Sequence, residues 1–455
     1  YLELGFGQGV SLVVHAAARE GEFWGNDIGP GHVAHAKKLA ATVDADIHIL
    51  PDSFKELIAR QDLRQFDVIT LHGIWTWISE EDGQVVIELA KRFLAPGGLL
   101  YITYNCAAGW AAATELRQLL IAYAKYASAP ETPANIKVQQ AMLFAGGLAS
   151  AGSAYFRANP TVGAQLQAVA GRDTTYLAHE FLGDHWRLSS FYEVATRMQS
   201  AGLEFVGSAL LLEHGDRFTL DERGRAVIAN IHHPILREMA VECMINPQFR
   251  QDVFVKQPVL LSVEERRAAF MRKQFMLTVP LADAALTIPG PQGPVALERE
   301  LYEPLLAALA ARAHAPKRLA EISAMLPGVD PEVLIEAVIV LAGAGYVQPA
   351  MDAPSERARS QCRALNDHLC ARARQSGDLT VLASPVLGAG ARVTRAEQLF
   401  LLARAAGVPP EDWADYAVAE AQVSSPVADL RAKLVAASAT FETQTLPILI
   451  AAGVA

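Results

Sequence analysis

Basic clusters are missing from this chain. Its 39 lysines and arginines against 49 aspartates and glutamates leave a net charge of −10 over 455 residues. No run of cations is present to track a phosphate backbone, which argues against nucleic acid as the substrate. Cysteine is scarce as well. Cys106, Cys243, Cys362 and Cys370 are too few and too scattered for a disulfide framework or a structural zinc site, and fit a reducing cytoplasm. Cys106 reads as a small packing residue rather than a nucleophile. No cysteine or carboxylate stands at ligand spacing from His232-His233-Pro234 or from the pair His179 and His185. These are read as surface or capping histidines, and no metal is expected. Long apolar runs are lacking too. Gln139 to Phe156 carries no charge, but Gly146, Gly147 and Gly152 make it a poor membrane span, so a buried helix or loop is expected and no membrane insertion. The chain opens on Tyr1 with no methionine, signal peptide or leading helix, and is read as a fragment whose amino terminus lies upstream.

What is present starts at once. Tyr1 to Leu4 reads as a strand, Gly5-x-Gly7-x-Gly9 as a loop, and Val10, Val13, Val14 and Ala17 recur at helical spacing. Glycine lets the backbone take positive φ and approach a ligand that a side chain would push away. A dinucleotide loop would want glycine or alanine at position 10, where this chain has Val10. With Glu3 leading it, the triplet resembles motif I of the class I S-adenosylmethionine (SAM) methyltransferases.

Further along, Phe23-Trp24-Gly25-Asn26-Asp27 reads as a second strand ending in an acid 18 residues after Gly9, near the spacing of a ribose-binding carboxylate. An alternative reading of Asp27 is a plain N-cap of the next helix. Ile47 to Leu50 is a third strand, followed by Asp52-Ser53-Phe54, which suits either an adenine contact or a helix N-cap. Phe66 to Leu71 is a fourth strand, Val85, Val86, Leu89 and Phe93 mark a helix, and Pro96-Gly97-Gly98 turns the chain into a fifth strand, Leu99 to Thr103. Strands alternating with helices imply an α/β fold with a doubly wound, Rossmann-like sheet. Its ligand edge, beyond the strands' carboxyl ends, collects Gly5 to Gly9, Asp27, Asp52 and the segment after Leu71.

A helical insertion is expected over about 111–172, where Leu116, Leu119, Leu120 and Tyr123 form one stripe. Leu203 to Leu212 and Asp252 to Val255 are read as the two strands that complete a seven-stranded sheet, closing a first domain at 1–257. Residues 258–295 read as a linker, with its proline and glycine stretch at Thr287 to Pro294. Residues 296–350 read as a winged-helix-like unit, in which Asp330-Pro331 caps a helix and Gly345 ends it, and 351–455 as a helical C-terminal region with one conspicuous loop, Ser384 to Gly390.

Beyond motif I, three strings are more specific: Leu71-His72-Gly73-Ile74-Trp75-Thr76-Trp77, Tyr104-Asn105-Cys106-Ala107-Ala108-Gly109-Trp110 and His179-Glu180-Phe181-Leu182. They resemble the SAM-dependent methyltransferases carrying a methyltransferase regulatory domain, which include the rickettsial protein-lysine methyltransferases acting on outer-membrane surface proteins. Gly202 to Ala209 and Leu382 to Gly390 add to the likeness, which spans nearly the whole chain. Ala108 stands where the family usually has proline.

The resemblance implies SAM as donor, and a protein lysine, on a surface or outer-membrane protein before export, as the leading acceptor. It assigns the backbone of Gly5, Gly7 and Gly9 to the methionine part of SAM, Glu3 to its ammonium group, Asp27 to the ribose, and Asp52, Ser53 and Phe54 to adenine. Helices upstream of the first strand would lid the cofactor in this fold family. His72, on the cofactor edge, also faces the acceptor side with Trp75, Tyr104, Asn105 and Trp110, where Trp75 and Tyr104 would offer π faces to a methylated cation. Trp75, Trp77 and Trp110 serve equally well as packing under the insertion. Two other functions stay open: methylation of a small molecule of quinone or polyketide type, and a non-catalytic SAM-binding interaction protein.

Overall fold

The computed structural model describes residues 1–455 except 170, 184, 291–292 and 422–426, and the side chains of 427–430 are also outside the description. Its first half is organised by one sheet. Strands β1 (Leu2–Leu4), β2 (Glu22–Asn26), β3 (Asp46–Leu50), β4 (Phe66–Leu71) and β5 (Leu94–Asn105) run parallel, with β6 (Leu203–Ser208) and β7 (Phe249–Lys256) at one edge. The order is β3-β2-β1-β4-β5-β7-β6, and β7 lies antiparallel between β5 and β6. The strand order reverses between β1 and β4, so the carboxyl ends of these two strands bound the natural ligand crevice.

Helices α1 (Val10–Ala18), α2 (Pro30–Ala40), α3 (Phe54–Ala59) and α4 (Glu80–Phe93) link the parallel strands. The main core under the sheet contains Leu2, Leu4, Ile69, Leu71, Leu100, Ile102 and Phe254. Pro96-Gly97-Gly98 lies inside β5 rather than before it: Phe66 pairs with Leu94 and Val68 with Leu99, so the extra residues bulge out between the two pairs. At Gly98 a Cβ would crowd the carbonyl oxygens of Ala95 and Asp67, which explains the second glycine of the turn.

The insertion is a separate helical bundle. Thr114–Tyr126, Ala134–Ser150, Pro160–Val169 and Thr174–Leu182 pack around Leu116, Leu120, Val138, Met142, Leu166, Leu177 and Phe181. It continues past residue 172 to Leu182, because Leu177 and Phe181 of the last helix pack into the same core. Ala134–Ser150 accounts for most of the uncharged stretch in the sequence.

Residues 258–295 are more than a linker. Val263–Arg272 is a helix, and β8 (Gln274–Leu277) is the central strand of a three-stranded sheet with Lys317–Arg318 and Val347–Ala350. The winged-helix-like unit thus begins inside the presumed linker, since its middle strand draws partners from 40 and 70 residues away. The centre of the proline and glycine stretch, Pro291-Gln292, lies outside the described residues. Asp330 caps the helix Pro331–Gly343 by accepting from the N–H of Glu332 at 2.8 Å, and Gly345 follows with φ +78°.

The C-terminal region is helical apart from a hairpin, Val381–Ser384 against Ala389–Arg392, whose tip is the loop noted in the sequence. It packs on α1. Val13, Val14, Ala17 and Ala18 share a core with Leu365, Leu369, Leu382, Phe400 and Trp413, while Leu12 and Ala16 on the same helix pack with Phe6, Phe23 and Val33. The helix after the glycine loop is thus buried on two sides. The segment Arg431–Ala451, with a mean hydropathy of 1.3, is long and apolar enough to cross a membrane by composition. In this fold its Leu434, Phe441, Leu446 and Leu449 face that C-terminal core.

Candidate functional site

A cleft of about 410 Å³ opens at the carboxyl ends of β1, β2 and β4. Gly5, Gly7 and Gly9 take φ of +71°, +57° and +74°, conformations that cost a side-chain-bearing residue strain. Packing forbids a side chain at two of them: a Cβ on Gly5 would run into Ile74, and one on Gly9 would lie 2.5 Å from the Ala36 Cβ. Gly7 differs, since nothing lies within 4 Å of its absent Cβ. Here bare backbone faces the open cleft. Gly5 and Phe6 donate their N–H groups to the Asn26 carbonyl, tying the loop to β2.

Asp27 stands just beyond β2. One carboxylate oxygen accepts from the Gly7 N–H at 2.9 Å and the other from the Gly29 N–H at 2.8 Å, with His32 Nδ1 at 3.1 Å. Gly29, not Asp27, is the N-cap residue of α2. Glu3 lines the same cleft and is only 4% exposed. The Tyr1 hydroxyl donates to it at 3.0 Å, and burial pushes its carboxyl up to about 7. His72, exposed at the end of β4, and Gly73 and Ile74 form the opposite lip. Gly73 has φ +68°, and its N–H donates to Thr103 Oγ1 at 2.7 Å.

The structure thus brings together Glu3, Gly5, Gly7, Asp27 and His72, with Gly9 holding the loop from behind. Other expected residues sit elsewhere. Asp52 is ion-paired with Arg60 at 3.0 Å, and its carbonyl accepts from the Asn26 side chain. Ser53 caps α3 in a reciprocal box with Glu56, and Phe54 packs against the core of the sheet. Of the two readings of Asp52-Ser53-Phe54, this geometry is that of a helix start.

Trp75 and Tyr104 need correction. Both are about 1% exposed and belong to the main core. The Trp75 indole N–H donates to Ser189 Oγ at 3.2 Å, and Arg197 lies over its ring. The Tyr104 hydroxyl donates at 2.6 Å to Asp252, itself paired with Arg250. Neither ring offers a face to a ligand. The aromatic wall of the cleft is instead Trp77, whose ring centroid lies 4.5 Å from that of His179. His179 is exposed, as expected of a surface histidine, and the insertion places it on the wall of this cleft. Cys106 is fully buried, and burial pushes its thiol up to about 12, as suits packing.

Asn105 and Trp110 lead to a second space, a chamber of about 160 Å³ between the insertion and the end of β5. The Trp110 indole N–H donates to the Gln248 carbonyl at 3.0 Å. Leu166, Tyr176, Glu180 and Phe181 complete the walls. Glu180 is 7% exposed and accepts from the Asn105 side-chain amide at 3.0 Å; burial raises its pKa above the ordinary glutamate value. Adjacent residues of one helix therefore serve two spaces, His179 the cleft and Glu180 the chamber. The sequence held a signal for this, since neighbours on a helix point about 100° apart.

A reversed strand order with one antiparallel edge strand, and a glycine loop at the switch point with an acid after the second strand, define a class I methyltransferase fold. Residues 2–98 match the family described as "Methyltransferase domain", and residues 173–256 match "Predicted methyltransferase regulatory domain". An uncharacterized protein of Synechocystis, sll1526, is 32% identical over 409 residues, covering 89% of this chain and 79% of that one. RP028 of Rickettsia prowazekii, also uncharacterized, is 27% identical over 122 residues, 26% of this chain and 48% of that one. Among solved structures, PKMT2 of Rickettsia typhi in complex with AdoHcy superimposes with a TM-score of 0.69 at 16% identity, covering 97% of this chain and 92% of that one. The chain belongs to the class I SAM-dependent methyltransferases that carry a methyltransferase regulatory domain. Its cofactor is S-adenosylmethionine, which the bare backbone at Gly7 and the flanking Glu3 and Asp27 fit.

Proposed function

We propose that this methyltransferase transfers methyl groups to lysine side chains of a protein. The observation that carries the reading is the chamber beside the cleft. Glu180 is a buried carboxylate, and among the described residues no cation lies within ion-pair distance of it. Arg117, whose charge acts on it from outside the chamber, donates instead to the Gly183 carbonyl at 2.6 Å and lies over the Trp186 ring, and Arg172 lies over Tyr176 at the chamber wall. A buried charge is costly unless it is paired. A lysine supplies both things the chamber asks for: an apolar stem for Leu166, Phe181 and Trp110, and an ammonium for Glu180.

Bound SAM would supply a methyl group already activated on a sulfonium, and the acceptor must attack as the neutral amine. The protein therefore has to position the lysine and let its ammonium proton pass to Glu180, whose pKa burial raises. On the donor side, Gly5 to Gly9 present backbone to the methionine end, Glu3 faces its ammonium, and the Asp27 carboxylate accepts from ribose hydroxyls. On the acceptor side, Asn105 fixes Glu180, and Trp77 and His179 wall the cleft. His72 stands at the mouth. An acceptor destined for the cell surface would be met in the cytoplasm before export, as the family resemblance implies. Purified enzyme with methyl-labelled SAM and a bacterial lysate tests the reading. Label in protein, recovered on lysine after hydrolysis, is the expected result. Label confined to the organic extract would establish the small-molecule alternative instead.

A further inference from the structure

The glycine loop is held from outside the sheet domain as well as from within it. The carbonyl of Gln8, between Gly7 and Gly9, lies 2.8 Å from Nδ1 of His35 on α2. A carbonyl only accepts, so Nδ1 carries the hydrogen. On the other side of the ring, Nε2 lies 3.1 Å from Nη1 of Arg372. A guanidinium only donates, so Nε2 must present its lone pair. These two contacts fix the ring as the neutral Nδ1–H tautomer. A second proton, on Nε2, would point at Arg372 and abolish the outer bond while leaving the inner one.

Arg372 is itself placed by the C-terminal region. It ends the helix Glu356–Arg372, and Asp378 pairs with it at 2.6 Å. The same helix docks on α1 through Cys362, Leu365 and Leu369, and the Cys362 thiol donates to the Ala17 carbonyl. The hairpin tip adds a bond from Arg19 Nε to the Gly388 carbonyl at 2.6 Å. Three contacts from residues beyond 360 thus converge on the loop and its helix. The other charged or titratable groups around His35 are Lys38 on its own helix and His368 on the C-terminal helix, where burial and the neighbouring Lys38, Arg372 and His35 keep the His368 pKa below its ordinary value. His32, also on α2, turns to Asp27 instead.

We propose that His35 is a positioning residue through which the C-terminal region holds the donor loop in its binding form, and that acidification releases this hold. Donor affinity then depends on Arg372, which makes no contact with the cleft. By linkage, a bound donor strengthens the docking of the C-terminal region by the same factor. The inference rests on the donor site and is independent of the acceptor.

The test uses the full chain and S-adenosylhomocysteine as probe, by calorimetry at pH 7.5 and 5.5, in the wild type and in Arg372→Met. At pH 7.5 the variant should bind about five-fold more weakly, the worth of one hydrogen bond. At pH 5.5, where a proton on Nε2 competes with the Arg372 bond, the ratio should fall towards one. Taking the ratio cancels any pH effect that the two proteins share, including that of Glu3. In a His35→Gln background, where an amide replaces the ring without titrating, the effect of Arg372→Met should no longer change with pH. Nitrogen-15 spectra of the wild-type imidazole give a readout that needs no variant: a protonated Nδ1 and bare Nε2 at pH 7.5 are expected. An Nε2–H tautomer, a ratio near one at both pH values, or a five-fold ratio unchanged between them would each overturn the proposal.

Discussion

The donor cleft and the neighbouring chamber are built from different materials. The donor side of the cleft is made of main chain, from three left-handed glycines at alternate positions, with the carboxylates of Glu3 and Asp27 beside them. The chamber is made of side chains from four separated segments, which supply Trp110, Leu166, Glu180 and Gln248. A backbone site is fixed by local conformation and is written into a few adjacent residues. A side-chain site exists only once distant segments have packed. The contrast suits the chemistry, because the donor is one constant molecule whereas acceptors differ.

The sharpest way to break this comparison is to put a side chain where the cleft needs none. Gly9→Val combines a left-handed φ with a collision at Ala36. Together these should cost about 3 kcal/mol or more, weakening S-adenosylhomocysteine binding at least about 100-fold by calorimetry. Gly7→Ala meets strain without collision and should lose only about ten-fold. Equal losses at the two positions would mean that the loop is not shaped as described.

On the chamber side, Glu180→Gln should cut methyl transfer to protein about 10- to 100-fold, the range for losing a charged hydrogen bond, while changing the affinity for S-adenosylhomocysteine by less than about two-fold. Parallel losses in both measurements would merge the two spaces into one. Trp75→Phe should act on neither space. With a ring in the core, it should lower stability by about 1 to 3 kcal/mol in denaturant titrations and leave donor affinity unchanged.

The smallest effect is a pH dependence. The Glu3 carboxyl, pushed up to about 7, is neutral below that pH and ionised above it. S-adenosylhomocysteine carries an ammonium, so its affinity should rise a few-fold between pH 6 and 8 and lose that component of its pH dependence in Glu3→Gln. The sign for stability is opposite. A carboxyl whose folded pKa exceeds its unfolded value contributes stability that is complete below about 4.5 and lost as pH rises through about 7, so the free protein should lose this contribution on the alkaline side.

These differences also explain what the sequence could reveal. Five parallel strands, the edge pair that completes the sheet, the glycine loop and the placement of Asp27 were legible, because each depends on a short pattern read against a known geometry. Trp75 and Tyr104 were not, since whether a ring near or just beyond a strand end faces ligand or core depends on partners such as Ser189 and Asp252, more than 100 residues away. Asp52-Ser53-Phe54 was ambiguous for a local reason, as a capping serine and a polar ligand contact use the same residue types. β8 escaped notice because four residues are too few to show a period. His179 was read as a surface group and is exposed, but its place on the cleft wall beside Trp77 shows only once the insertion has packed.

The most direct test of the account is a crystal structure with S-adenosylhomocysteine and a lysine-containing peptide bound together. The account predicts the methionine end of the ligand over Gly7, its ribose hydroxyls on Asp27, and the lysine stem passing Trp110 with its ammonium at Glu180. A ligand seated away from Gly7, or a peptide lysine that avoids the chamber while the donor site is filled, would contradict it.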